Sequence, residues 1–151
     1  MLHWQNLSIP EIAKTGCTHK LVLKYSDVLT KTSGTAFAIF PEPSGTTTSP
    51  AGTLIDRVII RCDTTWAGTG PLSALTCSIG DGSSATRWVN AQDVFTAGVY
   101  VPVTPTVISS GVMTSAADTV DMVLTATGGT LANLTAGQFT VFARISNFDS
   151  V

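Results

Sequence analysis

The sequence predicts an all-β protein, an antiparallel β-sandwich that is jelly-roll-like and has about eight strands. Apolar residues alternate with other residues in several short segments, and turns rich in Gly, Pro, Ser and Thr separate these segments. No amphipathic segment is longer than a turn or two of helix. A chain of 151 residues is long enough for one domain with a substantial core. We therefore expect an extended N-terminal arm over residues 1–19 and a single β-sandwich domain over residues 20–151.

The clearest alternation lies in residues 120–126 and 139–145, which the segment GGTLANLTAG connects. A period of two over both runs predicts two strands that send every other side chain into a core. The connection is too long for a tight hairpin, so we expect a pair of strands with a long loop. Val123 and Phe142 fall on the side opposite the core residues. This sheet is therefore predicted either to be covered on both faces or to meet a partner.

Further strands are predicted at residues 20–25, 36–40, 54–63 and 72–79, and we expect the last two to form an antiparallel pair. Residues 41–52, PEPSGTTTSPAG, have the composition of an exposed loop. The N-terminal segment has only a short helical hint at residues 10–14, and Trp4, Leu7 and Ile9 show no sustained period, which predicts an extended arm. Two alternatives remain open for it: the arm packs across its own domain, or it reaches a neighbouring subunit.

The composition indicates a protein that other subunits cover. Charged residues make up 12% of the chain, against an ordinary share of about 25%. Hydrophobic residues make up 44%, and the mean hydropathy is +0.32. No apolar run approaches the ~18 residues that a membrane-spanning helix needs, so we expect no membrane span. Contact with other protein subunits is the remaining explanation for so apolar a chain.

Charge and cysteine usage limit the classes of partner. The net charge of −2 and the absence of a Lys/Arg run give no reason to expect nucleic acid as a partner. The N-terminal residues lack the basic and apolar regions of a secretory signal, so we expect folding in a reducing cytosol. Cys17, Cys62 and Cys77 fit free thiols there. A Cys62–Cys77 disulfide would require their two strands to pair.

Residues that could carry chemistry are sparse. His3 and His19 have no Cys or carboxylate at a metal-ligand spacing, and no serine lies in a Gly-x-Ser-x-Gly motif. Asp118 and Asp121 are three residues apart, so they face opposite sides of a strand and cannot act as an acid–base pair. We therefore expect no enzyme activity, no metal and no cofactor.

Carbohydrate binding needs few residues, and two tryptophans are candidates for it. Trp66 and Trp88 lie in turn-rich stretches and could form an aromatic platform for a sugar. The favoured alternative is that they cap the ends of the sandwich core or pack into a subunit contact.

The second half of the chain resembles a group of small tailed-phage virion proteins. The similar elements are the turn Gly80-Asp81-Gly82, the segments AQDV at 91–94 and TAG at 96–98, and a final pair of strands with TAG at 135–137. The resemblance covers roughly residues 54–146. It implies a β-sandwich that decorates or cements a bacteriophage capsid, often as a homotrimer, with the major capsid protein as partner. Such a protein is assembled in the host cytoplasm and ends on the capsid surface of the virion.

Both lines of reasoning point to a protein that works through contacts. The candidate interface residues are apolar side chains of the arm, the exposed sides of strands and the tail: Trp4, Leu7, Ile9, Phe40, Phe142 and Phe148. Two alternatives remain open, a carbohydrate-binding β-sandwich module and a tail or neck component of the virion.

Overall fold

A computed structural model describes residues 4–39, 52–96, 102–103, 112–113 and 118–147, and these form two facing antiparallel sheets. The larger sheet has the order β1 (Trp4–Asn6), β2 (His19–Lys24), β10 (Leu134–Asn147), β4 (Thr53–Gly68) and β7 (Pro102–Val103), with β8 (Val112–Met113) also paired to β4. The smaller sheet has the order β3 (Ala36–Ala38), β9 (Val120–Thr127), β5 (Ala74–Asp81) and β6 (Val89–Asp93). The described residues also contain one α-helix, α1 (Ile9–Thr15), and short 3-10 turns at Tyr25–Asp27 and Leu131–Asn133.

The order of the strands is that of a jelly roll. Going inwards from both ends of the chain, β2 pairs with β10, β3 with β9, β4 with β7 and β8, and β5 with β6. A long antiparallel hairpin rolled into two layers produces this nested pairing, and it places successive pairs alternately in the two sheets. The predicted all-β, jelly-roll-like sandwich is therefore confirmed.

The core lies between the sheets and follows the alternation of the sequence. On β10, Phe139 and Val141 point inwards, and Leu75 and Met122 of the facing sheet are buried in the same cluster. Every second residue of the long strands is buried in this way because successive side chains of a strand point to opposite faces. The cluster also contains these buried residues: Leu21, Leu23, Ile55, Val58, Ile60, Cys62, Cys77, Ile79, Val120 and Leu124.

Two predicted strand pairings are wrong. Strands β4 and β5 do not pair: β4 pairs with β10, whereas β5 pairs with β9 and β6. Likewise, β9 and β10 lie in opposite sheets, so the connection between them crosses the sandwich. Alternation determines which side chains face the core but not which strand is the neighbour, and the two sheets share one core. Cys62 and Cys77 consequently belong to opposite sheets, and both are buried free thiols.

The prediction of an extended arm is also wrong for the described residues 4–19. Strand β1 extends the larger sheet beside β2, with Trp4 opposite Leu21, and α1 packs on the outer face of that sheet. This segment therefore packs on its own domain, which was one of the two alternatives. The helix forms because Ser8 and Pro10 are suited to a helix start and Gly16, with a φ of 66°, ends it in the left-handed conformation.

Candidate interaction surface

The outer face of the larger sheet carries a second, smaller apolar cluster beneath α1. Leu7, Cys17 and Phe142 are buried there, and Ile12 of the helix and Ile59 of β4 pack against them. Phe142 belongs to the outward set of β10, so it would be exposed if the helix were absent. The cluster attaches the N-terminal segment to the sheet, and it explains why an outward position of β10 is aromatic.

Polar contacts hold α1 in place at both of its ends. At the start, the backbone N–H and the hydroxyl of Ser8 donate to the Glu11 carboxylate at 3.0 and 2.7 Å. The ammonium of Lys20 on β2 donates to the same carboxylate at 2.9 Å, which joins the helix to the sheet. At the other end, Arg57 Nη1 donates to the carbonyl of Thr15 at 3.1 Å. A cation at the last carbonyls of a helix is favourable because the helix dipole is negative there.

The contacts of Glu11 favour its ionised form. The hydrogen bond from Lys20, followed by those from Ser8, lowers the pKa of Glu11 from its ordinary value to about 2. The carboxylate is therefore charged at neutral pH and can pair with Lys20 there.

An open groove of about 700 Å3 lies beside the helix on the outer face of the larger sheet. Helix α1 forms one wall, and residues from β2, β10 and β4 form the floor and the other wall. The floor contains Val22, Thr140 and Phe142, so it is part apolar and part polar. A concave site of this size can hold a ligand or a short polypeptide segment.

Arg61 and Asp63 are the principal charged pair of this groove. The Asp63 carboxylate accepts hydrogen bonds from Arg61 Nε at 2.6 Å, Thr140 Oγ1 at 2.5 Å and Gln138 Nε2 at 3.3 Å. The Arg61 guanidinium also lies over the ring of Phe142, 5.1 Å from its centroid. These contacts hold the guanidinium on two sides, and its terminal nitrogens make no hydrogen bond to any described residue.

A neighbouring ion pair stiffens the same face. Arg144 of β10 donates to Asp56 of β4 through Nε at 2.6 Å and through Nη2 at 2.5 Å, which is a two-point contact between adjacent strands. The pair holds the pKa of Arg144 above its ordinary value, chiefly through the hydrogen bonds to Asp56. Because Arg144 is exposed, we expect little stability from this pair and more effect on local geometry.

The structure brings together only some of the residues that the sequence indicated for an interface. Leu7 and Phe142 do meet, but inside the cluster under α1, so neither is free to contact a partner. Ile9 at the start of the helix is 83% exposed and is available for contact. Trp4 lies in the edge strand β1, while its side chain lies outside the described part of the structure. Phe40 and Phe148 also lie outside the described residues.

The suggested aromatic platform does not form. Trp66 and Trp88 are both 2% exposed, so neither presents a ring face to a sugar. Trp66 stacks at a tilt on Phe139 with ring centroids 5.3 Å apart, and Trp88 belongs to the same core cluster. The turn-rich surroundings of Trp66 are misleading because β4 continues past the predicted end at residue 63 to Gly68, which carries Trp66 inside the sandwich.

Asp81 is a buried carboxylate whose contacts serve local structure. Asp81 at the end of β5 accepts from the backbone N–H groups of Ser83 and Ser84 and pairs with Arg87, so its carboxylate closes the turn. Among the described residues, no group of three or more His, Cys, Asp or Glu side chains is close enough to hold a metal ion. In the same residues, no helix has the length and apolarity to cross a membrane.

Among known proteins, a solved structure has a fold similar to that of this chain. No protein-family model matches the chain, and no curated protein matches it by sequence. The fold is similar to that of a chain described as "Cyanophage Pam1 capsid asymmetric unit", with a TM-score of 0.51 and 17% sequence identity. The match covers 82% of this chain and 79% of that one, so the two chains are of similar length and share one architecture almost throughout.

Proposed function

We propose that this protein is a non-catalytic structural component of a bacteriophage head that decorates or cements the shell. Its partners would be the major capsid protein and further copies of itself, with a homotrimer favoured. The observation that carries the proposal is the near full-length likeness to a chain of a cyanophage capsid asymmetric unit. A match over most of both chains supports a role for the whole domain rather than for a shared fragment.

The composition supports the same proposal. A chain with 12% charged and 44% hydrophobic residues gains stability when other proteins cover its surface. A stable contact typically buries about 800 Å2 on each partner, and one face of a sandwich of this size can supply that area. The outer face of the larger sheet, with α1 and the adjoining groove, offers a concave, partly apolar surface for this contact.

Thermodynamic linkage between binding and assembly explains how such a protein would stabilise a shell. A protein that binds the assembled, expanded shell and not the dissociated subunits stabilises the shell by the free energy of its own binding. The effect grows with the number of bound copies, because each copy contributes its own term. No bond is made or broken in this mechanism, so the described residues need only supply shape, apolar surface and complementary charge.

The test uses shells of the phage that encodes this chain, assembled without the protein. The purified protein should bind expanded shells to saturation and raise the temperature at which they come apart, as followed by light scattering. Unexpanded shells are the matched control, and we expect them to bind little because the contact spans subunits in their expanded arrangement. Failure to bind expanded shells at micromolar protein would contradict the proposal.

A further inference from the structure

The groove beside α1 has a charge that differs in sign from that of the whole chain. Its lining contains the cations Lys14, Lys20 and Arg61 and the carboxylates of Glu11 and Asp63, an excess of one positive charge. The chain as a whole has a net charge of −2. A positively charged groove attracts an anionic ligand because opposite charges complement each other across an interface.

The two carboxylates of the groove are already engaged by two of its cations. Glu11 binds Lys20 at 2.9 Å, and Asp63 binds Arg61 at 2.6 Å through Nε alone. Lys14 makes no ion pair with any residue in the described part of the chain. The positive groups that remain for a ligand are therefore the Lys14 ammonium and the terminal nitrogens of Arg61.

Arg61 is prepared to bind a planar anion. Asp63 and the Phe142 ring fix the guanidinium, so a ligand does not have to order this side chain when it binds. The two terminal nitrogens of a guanidinium match the two oxygens of a carboxylate and can donate to them in parallel. Lys14 of α1, which also lines the groove, can then neutralise a second acidic group as a mobile point charge.

We propose that this groove binds a short acidic segment of the shell protein, with one carboxylate of that segment held on Arg61 and a second near Lys14. The inference rests on the proposed function, since it names the chemistry of the contact that decoration would use. Val22, which lines the groove and is half-buried, offers apolar surface to the segment's aliphatic carbons. Arginine is among the residues that most often dominate the energy of a protein contact, which suits Arg61 as its anchor.

Three single variants test the groove on shells that lack the protein. Arg61→Lys keeps the charge but removes the two-point geometry, and Lys14→Glu reverses the unpaired charge. Lys31→Glu is the matched control, because it makes the same change of charge at an exposed residue whose ammonium lies over Phe37 of the smaller sheet. Each variant is first compared with the wild type by thermal melting, and its affinity for expanded shells is then measured by co-sedimentation.

We expect Arg61→Lys and Lys14→Glu each to weaken binding by on the order of tenfold or more, with Lys31→Glu close to wild type. Equal binding by all four proteins would contradict the proposal that the groove binds an acidic segment, and so would equal weakening by Lys14→Glu and Lys31→Glu. In either case the proposed function would still stand. Failure of the wild type to bind would overturn both.

Zero-length coupling of amines to carboxylates identifies the occupant. Treatment of the decorated shell with a carbodiimide, followed by mass spectrometry, should yield peptides that join Lys14 to an Asp or Glu of the shell protein. Lys31 again serves as the internal control and should give few such products. Coupling of Lys14 only to this protein's own carboxylates, in shells that are fully decorated, would show that the groove does not face the shell protein.

Discussion

Two phenylalanines on one strand allow a direct test of how the N-terminal segment is attached. Phe139 and Phe142 lie three residues apart on β10, so they point to opposite faces of the larger sheet. Phe139 is in the main core beside Trp66, whereas Phe142 is in the smaller cluster under α1. Replacing each by alanine removes the same atoms from two different surroundings.

The expected losses of stability differ because only one site can collapse. At Phe139 both sheets are held by many strands, so alanine leaves a cavity, and the cost is about 3–5 kcal/mol. This corresponds to a fall in melting temperature of roughly 6–20 °C at about 2–4 °C per kcal/mol. At Phe142 the helix can move into the vacated space or detach, so no cavity remains. The loss of stability then approaches the free energy of transferring the side chain from water to the interior, about 1.5–3 kcal/mol.

Urea unfolding followed by tryptophan fluorescence measures the two global losses, and hydrogen exchange locates them. We expect Phe142→Ala to accelerate amide exchange selectively in residues 4–18, while Phe139→Ala accelerates it throughout both sheets. Equal global losses together with uniform exchange in both variants would refute the distinction between a main core and an attached segment.

Three further outcomes follow from individual contacts. A Cβ on Gly80 would lie 1.9 Å from the carbonyl oxygen of Ser84, so Gly80→Ala should cost at least about 2 kcal/mol in urea unfolding; a neutral result would mean that the turn after β5 can shift freely. The lowered pKa of Glu11 means that its contacts stabilise the fold above about pH 4.5 and are lost as the pH falls towards 2. The difference in melting temperature between wild type and Glu11→Gln should therefore narrow over that range; a constant difference would contradict the ion pair. Burial raises the pKa of the Cys17 and Cys77 thiols, so both should react with a thiol reagent slowly in the native protein and quickly in urea; fast native reaction would contradict their burial.

The strands could be predicted from the sequence, whereas their neighbours could not. Alternation in residues 54–63, 120–126 and 139–145 identifies β4, β9 and β10 and the faces that they bury. It does not say that β10 joins β2 to β4, because the same inward pattern suits any position in either sheet. The predicted pairing of residues 54–63 with 72–79 failed for this reason.

The helix had a signal in the sequence that periodicity could not reveal. Seven residues are too few to establish a period of 3.6, but Ser8, Pro10, Glu11 and Gly16 are start and stop residues at the correct spacing. Recognising them would have predicted the helix, whereas only the fold shows that it lies over Phe142. The groove could not have been found in this way, because Lys14 of α1, Arg61 of β4 and Phe142 of β10 come from three separate parts of the chain that only the fold brings together.

The copy number of this protein in purified particles tests the central claim most directly. Quantitative mass spectrometry against labelled peptides of this chain and of the major capsid protein gives their molar ratio in the intact virion. A shell component that decorates the head should be present in hundreds of copies, in a fixed ratio to the capsid protein. Absence from the particle, or a handful of copies as in a tail or neck, would contradict the account.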